Sequence, residues 1–475
     1  VRFTQSKRFW FFASEKNIVA LGGGRAPADL GARMSINNFP LALQPIIQQG
    51  FLEREFEQAL HSRLGYRSCA DREEFAVGIG ETLTKTRAGL RPAVTTPLAA
   101  NTNTNLDNGL TSGSWNVEQF TITLNHYAAT MDLNMVTSRV AIASVFLQNA
   151  YVNGEQAARS LDDLARNALF NAYFGGNTFV RTTLASAGPN VAVDDVRGFQ
   201  TAFVNGVQQA VSNSNPLAVT VGSDIYTLTS VTVDATSVSI TPGGISGVLG
   251  FSSNVTVSDG TAFSSVQAAT GSLVLRPNGR TNSTLLQVGD TLTMANILDG
   301  VANLRLNAVP DVDGAYNCYL DPISARQLFA DSDFQKLFIG LTSANEVFKP
   351  GQGVVNEFLG LRFVLTNESY VQPHPTIGGA FIRRPIVVGK GALVEGDFAG
   401  MASDDVAPKD SIVSLVDGVC MVTREPIDRL QQIIAQSWYW IGGFCAPSDT
   451  TTNSLTVPTA TNANFKRAVM IEHLG

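Results

Sequence analysis

A chain of 475 residues is too long for one simple core, so two or three compact units are expected. Only 15% of the residues are charged, which fits either a surface largely covered by other chains or a β-rich monomer with a polar, uncharged exterior. A net charge of −7 argues against a protein whose main work is gripping nucleic acid through many Lys and Arg, and 25 Arg against 8 Lys suits planar, many-donor contacts across interfaces.

Residues 1–36 carry Arg2, Lys7, Arg8, Lys16, Arg25 and Arg33 against Glu15 and Asp29, with GGGRAPADLG in the middle. This reads as an extended arm, tied down on a neighbour by Phe9, Trp10, Phe11 and Phe12. Glu15 and Lys16 break its apolar pieces, and no stretch approaches 18 apolar residues, so neither a signal peptide nor a membrane span is expected. Phe51, Leu52, Phe56, Leu60 and Leu64 recur near helical spacing and predict a short helix within 44–64.

Over 76–135 the segments GETLTKTRAGLRP and WNVEQFTITLNHY flank a polar run, and Phe120, Ile122 and Leu124 alternate with Thr121, Thr123 and Asn125. A long hairpin follows, with little interior of its own and therefore in need of a partner surface. Residues 138–174 give the strongest helical signal, with Ala157, Leu161, Leu164, Ala165, Ala168, Leu169 and Tyr173 on one stripe and Gly175–Gly176 as the stop. The Asn153–Gly154 pair predicts a kink or two helices end to end.

From 187 to 292 Val, Thr, Ser and Gly dominate and lysine is absent, which predicts an inserted all-β unit, a small sandwich or barrel. TMANILDGVANLRLNAVP then reads as a helix, AYNCYLDP as a strand, and PISARQLFADSDFQKLF as one helix entered through Pro322 and Ser324. Asp417–Gly418 between two apolar runs predicts a tight hairpin. After it, SWYWIGGF at 437–444 should form a strand with Trp438 and Trp440 on one face and Tyr439 and Ile441 on the other. One face would cover the long helix and the other approach a neighbouring subunit, against the plainer reading of a core strand that touches no neighbour.

Signals for chemistry are poor. Cys69, Cys318, Cys420 and Cys445 lack C-x-x-C spacing, and His61, His126, His374 and His473 lack H-x-x-x-H spacing. DVDG at 311–314 has no further calcium ligands at the required positions and reads as a turn. GGGRAPADLG lacks a Lys-Ser/Thr ending, and no G-x-S-x-G elbow occurs. No catalytic residue, cofactor or metal site is expected.

The order of parts, with LARNALFNAYFGGNT at 164–178, RPNGRTNSTLLQVGDTLTMANILDGVANLRLNAVP at 276–310, GAYNCYLDPISARQLFAD at 314–331, GLRFVLTNES at 360–369 and RAVMIEHLG at the end, resembles the major capsid proteins of tailed bacteriophages, and within them the coat-protein family named after coliphage N-four. The likeness implies an α+β chain with the Hong Kong 97-type fold. Its parts would be an N-terminal arm (1–75), an extended loop (76–135), a peripheral domain with a spine helix (136–186 and 400–475), an axial domain (293–399) and the inserted β domain (187–292).

It further implies hexamers and pentamers closing into an icosahedral virion shell around double-stranded DNA, assembled in the host bacterial cytoplasm with scaffolding, portal and decoration proteins, without sequence-specific DNA binding or membrane contact. Candidate subunit-interface residues are Arg2, Lys7, Arg8 and Trp10 in the arm, Lys85, Arg87, Arg91 and Trp115 in the hairpin, and Trp438 and Trp440 near the end. The alternative is a phage tail or surface adhesin whose β domain binds a glycan. A β-rich hydrolase using dispersed carboxylates is a third reading.

Overall fold

The computed structural model describes residues 43, 51–60, 65–75, 82–88, 117–134, 142–339, 354–358, 360–398, 411–424, 426, 428–430, 432–449 and 464–475. Most of the arm and the tip of the hairpin lie outside them.

The helix Ile142–Phe174 runs for 33 residues, about 50 Å at 1.5 Å per residue. Phe146, Ala150, Ala157, Leu161, Ala165 and Leu169 recur every four or seven positions and are all fully buried, so one stripe of the helix faces inward. Gly176, at φ +78°, ends it in the left-handed region. The two helices end to end that were one expectation at Asn153–Gly154 do not form; one helix passes through. Gly154 is required by packing instead, because a Cβ there would lie 2.8 Å from the carbonyl oxygen of Phe56 and 2.8 Å from the Cβ of Ala59. Both belong to the short helix Phe51–Leu60, which crosses at this point. Asn153, itself buried, donates from Nδ2 to the backbone oxygen of Gln436, 3.1 Å away.

The helix is covered by a sheet whose strands run in the order Ala70–Phe75, Leu393–Phe398, Ile433–Cys445, Val419–Arg424 and Ser411–Val416, with Asn125–Asn134 paired along Ile433–Cys445 as well. The first pair is parallel and the others are antiparallel. Asp417 (φ +49°) and Gly418 (φ +80°) form the expected tight turn between the last two strands.

A second sheet orders Val274–Leu275, Ala468–Ile471, Ile386–Val388, Tyr316–Leu320, Leu361–Leu365 and Val354–Phe358. The end of the chain is thus hydrogen-bonded between residues near 274 and residues near 387. The helix Met294–Leu306 packs on this sheet and begins with a capping box between Thr293 and Asn296. The single helix expected after Pro322 is two, Pro322–Ala330 and Ser332–Ile339. Asp331 sits between them in extended conformation, and its carboxylate accepts from Met294 N at 2.7 Å and Asp333 N at 3.2 Å, an alternative to continuing the helix.

A third sheet, Asn177–Phe179, Ser265–Ala268, Leu217–Val221, Asp224–Val233, Gly247–Val255 and Gly188–Val193, has its own core around Val191, Val219, Leu228, Leu249 and Val266. It takes its first strand directly from the end of the long helix. One charged cluster joins the pieces: Glu472, fully buried, binds Arg276 Nε at 2.6 Å and Arg384 Nε at 2.8 Å, and the Arg384 guanidinium lies 4.8 Å from the ring centre of Phe174.

Gly154→Ala separates intrinsic preference from packing. Alanine should favour an isolated helix by about 1 kcal/mol, yet here the added methyl meets backbone, and a net destabilisation of roughly 1 to 2 kcal/mol is expected by urea denaturation.

Candidate functional site

With no catalytic motif in the sequence, the surfaces able to meet other chains are the first place to look. Thr82–Ala88 and Val117–Thr123 pair antiparallel from Thr82↔Thr123 to Ala88↔Val117, forming a two-stranded ribbon. Thr82, Thr84 and Thr86 are exposed on one side, while Leu83, Lys85 and Arg87 are half-buried on the other. The one fully buried apolar side chain among the ribbon's described residues is Ile122, which packs with Phe75 and Val394.

The ribbon base is nevertheless held by its own chain. Lys85 pairs with Glu73. Arg87 donates to the oxygen of Gly391 at 2.9 Å, pairs with Asp449 at 3.4 Å and lies 5.9 Å from the ring centre of Phe120. Gln119 N donates to the oxygen of Gly206 at 2.8 Å. That oxygen belongs to the turn of the small hairpin Thr201–Val204 and Val207–Ala210, so the β unit props one flank of the ribbon.

Of the candidate interface residues, Lys85 and Arg87 are therefore engaged within the chain. Arg2, Lys7, Arg8, Trp10, Arg91 and Trp115 lie outside the described residues. Trp438 and Trp440 are inside, 3% and 0% exposed. Trp438 donates from Nε1 to Gln156 Oε1 of the long helix at 3.3 Å, and Trp440 stacks between Tyr127 at 5.9 Å and Phe444 at 5.5 Å between ring centres. Tyr439 turns its edge to His126 with 5.7 Å between centroids. The aromatic block thus joins sheet to helix from one face of its strand.

Several charged groups that the sequence reading passed over sit where the chain enters the ribbon. Arg67 holds Glu395, fully buried, and reaches Asp417; Arg72 reaches the same two carboxylates. Arg67 and Glu395 are 328 positions apart, and no local pattern could have paired them.

Burial pushes the thiols up, Cys69 to about 12 and Cys445 to about 11, with Cys318 and Cys420 raised as well. Among the described residues no group of three or more His, Cys, Asp or Glu side chains is placed to hold a metal ion. Ser324 Oγ lies 2.7 Å from His473 Nε2, but both are fully buried, and Asp321 contacts the serine instead of the histidine. The inverted order pins the chain end to the helix Pro322–Ala330 and gives no general base access to a substrate.

No protein-family model matches the chain, and no curated protein matches it. Solved structures do. The capsid of Ralstonia phage GP4 aligns with a TM-score of 0.47 and 11% identity, over 85% of this chain and 87% of that one. The cyanophage Pam1 capsid asymmetric unit aligns with a TM-score of 0.41 and 12% identity, over 83% and 85%. The head structure of Helicobacter pylori bacteriophage KHP40 aligns with a TM-score of 0.36 and 9% identity, over 88% and 90%. With TM-scores below 0.5 and identities of 12% or less, these likenesses do not by themselves fix fold or function.

Burial pushes His473 down to about 4 from an ordinary 6.5, opposed by its bond to Leu474 O and by the nearby charge of Asp321. The folded chain keeps the imidazole neutral while the unfolded chain takes up a proton, so stability is full above pH 6.5 and falls as the pH drops toward 4. His473→Gln removes this titration. The slope of the urea midpoint between pH 6.5 and 4 should be shallower in the variant than in the wild type; equal slopes would contradict the assignment.

Proposed function

We propose that the chain is the coat subunit of a tailed-phage head, of the Hong Kong 97 type and of the family named after coliphage N-four. It assembles with itself as hexamers and pentamers into an icosahedral shell around double-stranded DNA, and it catalyses no reaction. The observation that carries this reading is the ribbon, which among the described residues has one buried apolar side chain, Ile122, and offers a face of exposed threonines. Two strands alone are marginal in water, so the outer ribbon gains stability by lying on a sister copy.

On this reading the ribbon is the extended loop. The helix Ile142–Phe174 with its covering sheet is the peripheral domain, the sheet around Tyr316–Leu320 is the axial domain, and the unit built on Asn177–Phe179 through Ser265–Ala268 is the insertion. Trp438 and Trp440 then serve assembly indirectly, by stiffening the sheet whose edges face neighbours. The arm, with Arg2, Lys7, Arg8 and Trp10, laps onto an adjacent subunit, and Arg91 and Trp115 extend the ribbon's contact. Scaffolding, portal and decoration proteins are its further partners, the virion is its place, and the net charge of −7 keeps packaged DNA from adhering to the wall.

The adhesin alternative loses ground on one feature of the β unit. Phe179, Phe199, Phe203, Tyr226, Phe251 and Phe263 are all buried or half-buried, so the unit presents no exposed ring on which a sugar could stack. Expression with the scaffolding protein followed by negative-stain microscopy should give closed shells; fibres or trimers would favour the adhesin, and monodisperse monomers would defeat assembly altogether. Removing residues 1–35 should abolish or deform the shells while leaving the thermal unfolding of the body unchanged.

A further inference from the structure

Five charged side chains converge where the segment 65–75 crosses toward the ribbon. Arg67 binds Glu395 from Nη2 at 2.6 Å and from Nε at 3.0 Å, and reaches Asp417 Oδ2 from Nη1 at 3.3 Å. Arg72 pairs with both oxygens of Asp417, one of them at 3.0 Å, and its Nε lies 3.7 Å from Glu395. The third carboxylate is Asp397, two residues beyond Glu395 on the same face of the strand Leu393–Phe398. Its Oδ1 is buried with no hydrogen-bond partner among the described residues.

Asp417 and Gly418 are the tip of the hairpin Ser411–Val416 and Val419–Arg424, and this tip rests directly on Asp397. A Cβ on Gly418 would stand 2.7 Å from Asp397 Oδ2. Among the described residues the remaining surroundings offer little compensation. Glu74 is the register partner of Asp397 on the neighbouring parallel strand, Gly442 is its uncharged partner on the other side, and Asp162 of the long helix is occupied in accepting from Arg67 N at 3.0 Å. With every group ionised, two guanidiniums face three carboxylates, Glu395 and Asp417 in direct contact and Asp397 acting through its charge, with a fourth, Glu74, alongside. Protonating Asp397 leaves Arg67 and Arg72 matched against Glu395 and Asp417.

We propose that this cluster is an acid-closed clasp: the hairpin tip at Asp417–Gly418 is held against the strands Ala70–Phe75 and Leu393–Phe398 when Asp397 carries a proton, and loosens as Asp397 ionises. Burial, reinforced by repulsion from Glu395, pushes Asp397 up to about 6, while Arg67 and Arg72 pull the other way. The sign follows from linkage. The closed form binds the proton more tightly than an open, solvated form, so the holding energy is fully present below the ordinary carboxylate value and is lost as the pH rises through about 6. The segment that carries the chain into the ribbon is gripped by the same two arginines, so it gains freedom together with the tip. The clasp is a property of the single chain and stands whether or not that chain builds shells.

Hydrogen exchange read by mass spectrometry on the full chain, corrected for intrinsic rates, tests it through the amides of residues 415–420. Between pH 5.0 and 8.0 the wild type should lose on the order of tenfold in protection there. Asp397→Asn should show the same protection at both pH values, at or above the level of the wild type at pH 5.0. Asp162→Asn, which removes a second half-buried carboxyl raised to about 6, should leave the tip's response intact. A wild type indifferent to pH, an Asp397→Asn protein that still loses tenfold, or an Asp162→Asn protein that no longer responds would each overturn the proposal.

Discussion

The structure depends on the apolar contact between the helix Ile142–Phe174 and the sheet centred on Ile433–Cys445. Phe146, Ala150, Ala157 and Leu161 on one side meet Ile434, Trp438, Trp440 and Met421 on the other, and all are buried. Small residues on the helix let the large rings of the strand approach closely, and a fully buried aromatic contributes on the order of 2 to 3 kcal/mol by area. The long strand can then act as a spine for everything hydrogen-bonded to it: Leu393–Phe398 and Val419–Arg424, and Asn125–Asn134, which continues directly from the ribbon. The ribbon is an outgrowth of this core, and its rigidity at the base is inherited from it.

Charged groups play the complementary part at the seams. Glu472 between Arg276 and Arg384 is fully buried, and its pKa is lowered because the two guanidiniums overcome the cost of burial. Buried pairs of this kind are weak sources of net stability but costly to break, so they specify one arrangement of neighbouring pieces. The cluster at Arg67 and Arg72 instead sets two guanidiniums among three carboxylates, Glu395, Asp417 and Asp397.

Local features were legible wherever a side chain's fate depends on its immediate neighbours. The stripe Ala157, Leu161, Ala165 and Leu169, the Gly175–Gly176 stop, the Asp417–Gly418 turn and the alternation around Trp438 could all be read from spacing. The reason for Gly154 was not legible because it lies on another helix, at Phe56 and Ala59. The break at Asp331 was missed for a related cause, since its carboxylate caps a helix start 37 positions away. Of the candidate interface residues, Lys85 and Arg87 looked free by composition but find partners at Glu73, Gly391 and Asp449.

The sequence by itself determined most of the helices, strands and turns and which of their faces turn inward, because periodicity acts over a few residues; at Gly154 and Asp331 distant contacts decided instead. Only the tertiary structure decided which strands lie side by side: Ala70–Phe75 parallel to Leu393–Phe398, the chain end between Val274–Leu275 and Ile386–Val388, the β unit's turn against the ribbon. Backbone hydrogen bonds are the same for every strand and carry no address. The address is written in side chains hundreds of residues apart, such as Arg67 and Glu395, which meet only when the whole core has closed.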